Sequence, residues 1–307
     1  MDIILQVLLL AAGFVLLVKG ADWFVDGASG IAMKLHIPQL VIGLTIVAMG
    51  TSAPEAAVSI SAALKGSADI TIGNIVGSNI LNILIILGLA SAIVPIAVAK
   101  STIKIDIPFM LAITAVLLLL GWDGTITLVD GLILLALFIC YLGYMLYMAK
   151  HGNDEGEQIK NLTLWQALLF TAVGLVLIVL GANLAVDAAT ALARIFGLSE
   201  RFIGLTVVAL GTSLPELFTS VTAARKGNAE IAIGNIVGSK IFNILFIVGL
   251  SAMIVPVPFT ANFRIDTIVA IAAGVILLVF SIPRKKLVRW HGIAMLLAYA
   301  AYFLYLL

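Results

Sequence analysis

The sequence predicts an all-α membrane protein with ten transmembrane helices, arranged as two inverted five-helix repeats. Three observations carry this expectation: a composition suited to lipid, ten separable apolar runs, and a self-match at one fixed offset. Of 307 residues, 63% are hydrophobic and 11% charged, whereas a soluble domain carries about 25% charged residues. So much apolar surface needs lipid as its solvent. One crossing takes ~20 mostly apolar residues, which allows roughly ten crossings and leaves little chain for a soluble domain. The formal net charge of +1 gives no sign of a nucleic-acid partner.

The runs are residues 3–18, 35–64, 70–99, 107–122, 131–149, 161–186, 202–224, 231–263, 267–283 and 292–307. Among Asp, Glu, Lys and Arg they contain only Glu55, Glu216 and Lys240. The N-terminus lacks the basic region and small-residue cleavage site of a removable signal peptide, so the first run is expected to be a mature transmembrane helix. The single cysteine, Cys140, falls inside the fifth run; it forms no internal disulfide and is expected to pack in the core. Residues 150–160, KHGNDEGEQIK, form the one clearly polar stretch. The expected organisation is a first repeat over 1–149, a short linker over 150–161 and a second repeat over 162–307.

Shifted by 161 residues, the chain matches itself. VIGLTIVAMGTSAPE (41–55) aligns with FIGLTVVALGTSLPE (202–216), and ITIGNIVGSNILNI (70–83) with IAIGNIVGSKIFNI (231–244). The same shift carries Gly13 onto Gly174, Gly20 onto Gly181, Asp26 onto Asp187 and Pro95 onto Pro256. Five crossings per unit is an odd number, so the second unit enters from the opposite side, an architecture common among secondary transporters. With the N-terminus outside, the inner loops hold Lys34, Lys100, Lys104, Lys150, Lys160, Arg225, Lys226, Arg284, Lys285, Lys286 and Arg289. The outer loops hold Lys65, Arg194, Arg201 and Arg264. This imbalance predicts extracellular termini and a cytoplasmic linker in a multi-pass cell-membrane protein.

Chemistry concentrates in the repeated motifs. GTSAPE (50–55) and GTSLPE (211–216) sit inside apolar runs. Pro54 and Pro215 each deprive a carbonyl four residues back, on Gly50 and Gly211, of its amide partner. Such a carbonyl must face protein, water or an ion, and a broken helix offers it as a ligand. Thr51, Ser52 and Glu55 approach one face, as do Thr212, Ser213 and Glu216. A carboxylate at mid-membrane costs ~2.5–3.5 kcal/mol on insertion scales. Two at symmetric positions therefore imply a compensating cation or proton. In GNIVGSNILN (73–82) and GNIVGSKIFN (234–243), the GxxxG spacing allows close helix approach. Ser78 and Asn82 share a face, as do Ser239 and Asn243. Helices 2, 3, 7 and 8 are thus expected to be broken around a central ion site made entirely of oxygen donors. Oxygen ligands suit hard cations rather than zinc or copper. Two carboxylates plus neutral oxygens can supply the ~6–8 ligands of Ca2+, or hold several smaller monovalent ions instead.

At these motifs the chain resembles the cation/calcium exchanger superfamily, and most nearly its prokaryotic sodium–calcium exchangers, over essentially its whole length. The resemblance implies ion ligation by Thr51, Ser52, Glu55, Ser78, Thr212, Ser213, Glu216 and Ser239. Backbone oxygens of Ala48 and Ala209 would join them, and Asn82 and Asn243 would line the site. It also implies Na+/Ca2+ antiport by alternating access, with helices 1 and 6 sliding on strips that carry Gly13, Gly20, Gly174 and Gly181. Some relatives carry aspartate where this chain has Asn82 or Asn243, and the neutral pair leans against potassium co-transport. Lys240, beside Ser239, is expected to snorkel to the interface. Asp26 and Asp187 are expected near solvated helix ends.

Neither an enzyme nor a cofactor is implied: there is no Walker A motif, no HExxH and no Ser/His pair within the membrane. The partners are Ca2+, Na+ and the lipid bilayer, with no obligate protein partner evident. Two alternatives stand beside this: proton/calcium antiport through the same carboxylates, and a passive cation channel.

Overall fold

The structure, a computed structural model, describes residues 3–151, 162–197 and 209–306. Among these it is all-helical apart from two-residue strand pairs. Seven helices are long and apolar enough to cross a membrane, and an eighth crossing follows if one bent pair counts as a single span. In chain order the helices are α1 (Ile3–Leu35), α2 (Gln39–Thr51), α3 (Ala53–Leu64), α4 (Ile70–Ile93), α5 (Thr102–Asp123), α6 (Leu128–His151) and α7 (Leu164–Ile195). There follow α8 (Ala209–Thr212), α9 (Leu214–Arg225), α10 (Ala229–Ile254), α11 (Ala261–Ser281) and α12 (Arg289–Leu306). Part of the seventh run, residues 202–208, lies outside the described residues, as do linker residues 152–161.

α1 and α7 are far longer than the apolar runs that predicted them, at 33 and 32 residues. At 1.5 Å per residue α1 measures about 50 Å, well beyond a hydrocarbon core of about 30 Å. The helix continues past Val18 because its polar residues find partners. Asp26 is buried and accepts from Lys226 Nζ at 2.7 Å, and Asp22 lies 3.1 Å from the same amine. Asp26 is therefore an interior residue tying α1 to the end of α9, which corrects its expected place at a solvated end. Asp187, its repeat counterpart, lies within α7 and is exposed.

The two long helices run antiparallel, with glycines face to face. A Cβ on Gly20 would lie 2.8 Å from Ile178 N and 2.9 Å from Gly174 O, and one on Gly13 would lie 2.9 Å from Gly181 O. Small residues let helices approach to backbone contact in this way.

α10 and α4 form the centre, with 94% and 78% of their apolar windows buried, against 22–33% for the other long helices. The outer helices instead present large apolar side chains such as Leu119 and Ile139 on the surface, as lipid-facing helices do. Cys140 belongs to that exposed set and is not a core residue. A 50° bend separates α2 from α3, with Pro54 in the first turn of α3. The proline fits there because an N-terminal turn has no amide bond to lose.

Helices α4 and α10 are not interrupted where breaks were expected. They pass through single π-helical turns, Asn82–Leu87 and Asn243–Val248, at matching repeat positions. Two further π turns occur at Gly43–Val47 in α2 and Thr102–Asp106 in α5. Short antiparallel strand pairs then tie loops of one half to loops of the other. Ile96–Ala97 (β1) pairs with Lys286–Leu287 (β4), and Thr125–Ile126 (β2) with Val257–Pro258 (β3).

Candidate ion-binding site

The site forms where the α2–α3 bend and the break at Ser213 between α8 and α9 meet the middles of α4 and α10. α10 presses backbone to backbone on α2: a Cβ on Gly234 would lie 3.0 Å from Gly43 Cα, and one on Gly238 would lie 2.7 Å from Leu44 Cα. This is the close approach expected of the second GxxxG. The segment that the repeat would set against Gly73 and Gly77 falls in residues 202–208, outside the described residues.

That contact brings the two acidic motifs together. Ser52 Oγ donates to Glu216 Oε1 at 2.9 Å, and Ser213 Oγ reaches Glu55 Oε1 at 3.5 Å. Each carboxylate therefore receives a hydroxyl from the opposite repeat. Thr51 donates to Asn235 Oδ1 at 2.9 Å. The Ala48 carbonyl accepts from Ser52 N at 3.1 Å and from the Ser239 hydroxyl at 3.3 Å, and at 3.3 Å it is the longer, alternative acceptor for the Thr51 proton. Glu55, Glu216, Thr51, Ser52, Ser213, Ser239, Asn82 and Asn243 are all buried.

Two asparagines not singled out from the sequence hold the frame. Asn74 Nδ2 donates to the Glu55 carbonyl at 3.2 Å and to Ser59 Oγ at 2.9 Å. Asn235 Nδ2 does the same to the Glu216 carbonyl at 3.4 Å and to Ser220 Oγ at 2.9 Å. The available signal was their place after Gly73 and Gly234 in the duplicated motif, with Ser59 and Ser220 each one turn past a glutamate.

The remaining candidates are less closely gathered. Ser78 turns its hydroxyl to its own helix, donating to Asn74 O at 2.7 Å. Thr212 is half-buried at the edge of a cavity of about 600 Å3, whose walls include Pro54, Asn183 and Asp187. Ala209 opens α8. Lys240 departs from its expected position: it is fully buried, and its Nζ donates to the Ala270 carbonyl on α11 at 3.0 Å. It does not snorkel, because α10 is enclosed on nearly all sides and a backbone carbonyl lies within reach. Its repeat counterpart, Asn79, accepts instead from Asn243 Nδ2 at 3.3 Å. Because Lys240 points elsewhere, the matching partner of Asn82 is missing, and both polar atoms of that side chain are unpartnered.

Several buried oxygens here lack any hydrogen bond: Glu55 Oε2, Glu216 Oε2, Asn82 Oδ1, Asn243 Oδ1 and Thr219 Oγ1. Leaving such a group unmade costs about 1–3 kcal/mol, more when charged. Among the described residues no cluster of three or more His, Cys, Asp and Glu occurs. The donor set is therefore two carboxylates plus neutral oxygens. That set suits a hard cation.

The fold and site define a multi-pass membrane transporter of the cation/calcium antiporter class, not an enzyme. The chain belongs to the sodium/calcium exchanger protein family, whose model matches residues 5–147 and 166–307. CaxA of Alkalimonas amylolytica is 41% identical over 302 residues, covering 94% of this chain and 95% of its own. The sodium/calcium exchanger MaX1 of Methanosarcina acetivorans is 34% identical, covering 96% of each. A solved structure of the sodium-calcium exchanger NCX_Mj superposes with a TM-score of 0.88 at 34% identity, covering 100% of both chains.

Proposed function

We propose that the protein exchanges Na+ for Ca2+ by alternating access, with Glu55 and Glu216 as the central carboxylate ligands. The observation that carries this reading is the crossed pair of bonds from Ser52 to Glu216 and from Ser213 to Glu55. They hold two buried acids, one from each repeat, against one set of oxygen donors. Thr51, Ser52, Ser213, Ser239 and the Ala48 carbonyl lie in direct contact with that set, and Asn82, Asn243, Ser78, Thr212 and Ala209 complete it. Two negative charges balance one Ca2+. Na+ ions can divide the same oxygens among themselves, so either cargo neutralises the acids but not both together. The hydroxyl-rich lining favours Na+ over H+ as the counter-ion, and the names of two relatives point the same way.

The protein is built as two inverted five-span repeats, residues 1–149 and 162–307, joined by a cytoplasmic linker, with both termini extracellular. Two features support this. α1 and its repeat counterpart α7 run antiparallel, as inversion requires. The strand pairs also join only loops that this topology puts on the same side. The glycines expected to form a sliding strip face each other instead and hold α1 and α7 together as one unit, so movement of that pair against the core would use its other faces.

The test is radioactive calcium uptake by sealed vesicles under an outward Na+ gradient, an outward proton gradient, or neither. Uptake that needs Na+ is expected. Uptake that needs only protons would assign proton/calcium antiport, and equal uptake without a gradient would assign a channel.

A further inference from the structure

A second buried carboxylate lies away from the central site, in the outer helix pair α5 and α6. Asp106 is 2% exposed, and its Oδ2 has no hydrogen-bond partner. It lines a cavity of about 170 Å3 together with Tyr141 and Tyr144. Tyr144 OH and Thr102 Oγ1 also lack partners; the threonine lies beside the carboxylate without closing a bond of normal geometry. No Lys, Arg or His pairs with Asp106 among the described residues. The rest of the wall is Ile105, Phe109, Leu137 and Cys140.

The second half shows how such an acid is satisfied. The shift of 161 carries Tyr141 onto Tyr302, and Tyr302 OH donates to Asp266 on α11 at 2.8 Å. Asp106 stands one position past the counterpart of Asp266. The π turn Thr102–Asp106 accounts for the offset, since it takes an extra residue into the turn and brings Asp106 round to its tyrosines. Tyr141, however, spends its proton elsewhere, donating to the Leu44 carbonyl on α2 at 3.0 Å. Its oxygen lone pairs stay available to accept a cation. The Tyr144 and Thr102 hydroxyls stand near the aspartate as donors or as ligand oxygens, and neither closes a hydrogen bond to Asp106 Oδ2. An ionisable group at membrane depth generally has a functional partner.

We propose that this cavity is a second cation site, holding one monovalent hard cation against Asp106 with the hydroxyl oxygens of Tyr141, Tyr144 and Thr102 as neutral ligands. A single carboxylate balances a single positive charge. Ca2+ would leave one charge uncompensated against apolar walls, which is costly. Water occupies about 30 Å3 per molecule, so the space admits a cation with a few waters. Through Tyr141 and Leu44 the site touches the π turn of α2, the helix that carries Ala48 and Thr51. Occupancy at Asp106 is thereby linked to the segment that builds the central site.

The experiment measures radioactive Na+ binding to purified full-length protein carrying Glu55→Gln and Glu216→Gln, with K+ as competitor in a second arm. Removing the central acids leaves the outer cavity to be read alone, so this test and the antiport test can fail separately. One saturable Na+ per chain is expected, weakened at least 10-fold by adding Asp106→Asn. Tyr144→Phe, which keeps the carboxylate, is expected to weaken binding severalfold and provides the reading if Asp106→Asn does not fold. Saturable binding absent from the double-glutamine protein, or unchanged by both further variants, would overturn the proposal.

Discussion

Ser52 Oγ donates to Glu216 Oε1 at 2.9 Å across 164 residues of sequence. The reciprocal bond from Ser213 to Glu55 is longer, at 3.5 Å. The two hydroxyls should therefore not be equivalent. A hydrogen bond to a charged group contributes about 1.5–3 kcal/mol. Ser52→Ala is expected to weaken apparent Ca2+ affinity by roughly 10-fold or more, and Ser213→Ala by less. Glu55→Gln and Glu216→Gln should each abolish exchange. Calcium uptake titrated in vesicles checks all four, and equal affinities in the two serine variants would refute the ranking.

Asn235 holds three groups at once: the Glu216 carbonyl, Ser220 and the Thr51 hydroxyl. Asn74 makes the matching bonds to the Glu55 carbonyl and to Ser59. Asn235→Ala frees three partners without removing a carboxylate. It should lower transport severalfold while the purified protein stays folded by size-exclusion chromatography, and transport at the normal rate would show that these bonds do not position the acids.

Lys240 places a buried amine on α10, one residue from Ser239, with one carbonyl partner. Replacing a buried charge by an apolar side chain of similar volume is often neutral or stabilising. Lys240→Met is thus expected to keep or raise the melting temperature. Removing positive charge near a cation site should also tighten apparent Ca2+ affinity severalfold. Weaker Ca2+ binding in a folded variant would show that the amine supports the site rather than opposing it.

The contact between α1 and α7 leaves no room for a side chain. On Gly174 a Cβ would fall 2.8 Å from Gly20 O, and on Gly20 it would fall 2.9 Å from Gly174 O. Backbone atoms cannot step aside, so the helices must separate. Gly20→Val and Gly174→Val should slow exchange at least 10-fold, while equilibrium Ca2+ binding changes little. Transport at the normal rate in either variant would remove α1–α7 packing from the cycle.

Asp26 and Lys226 join α1 to the core. Asp26→Asn should lower the melting temperature through loss of a charged hydrogen bond worth about 1.5–3 kcal/mol. The partial rescue available to Lys226 is Asp22, 3.1 Å away.

The sequence by itself determined the solvent of this protein, its duplication and the two acids that stand inside its apolar runs. Those are properties of composition and repetition, written residue by residue. A glutamate in a 30-residue apolar run must be compensated whatever the fold. Only the tertiary structure decided which partner each polar group takes. Nothing local says that Ser52 serves the opposite repeat's glutamate, that Asn74 and Asn235 brace the bends, or that Asp26 lies inside. Lys240 and Asn79 occupy equivalent sequence positions yet turn to different partners, Ala270 and Asn243. The reason is physical: a buried polar side chain takes whichever donor or acceptor the packing of distant helices brings within about 3 Å, and that distance is not encoded by spacing along one helix.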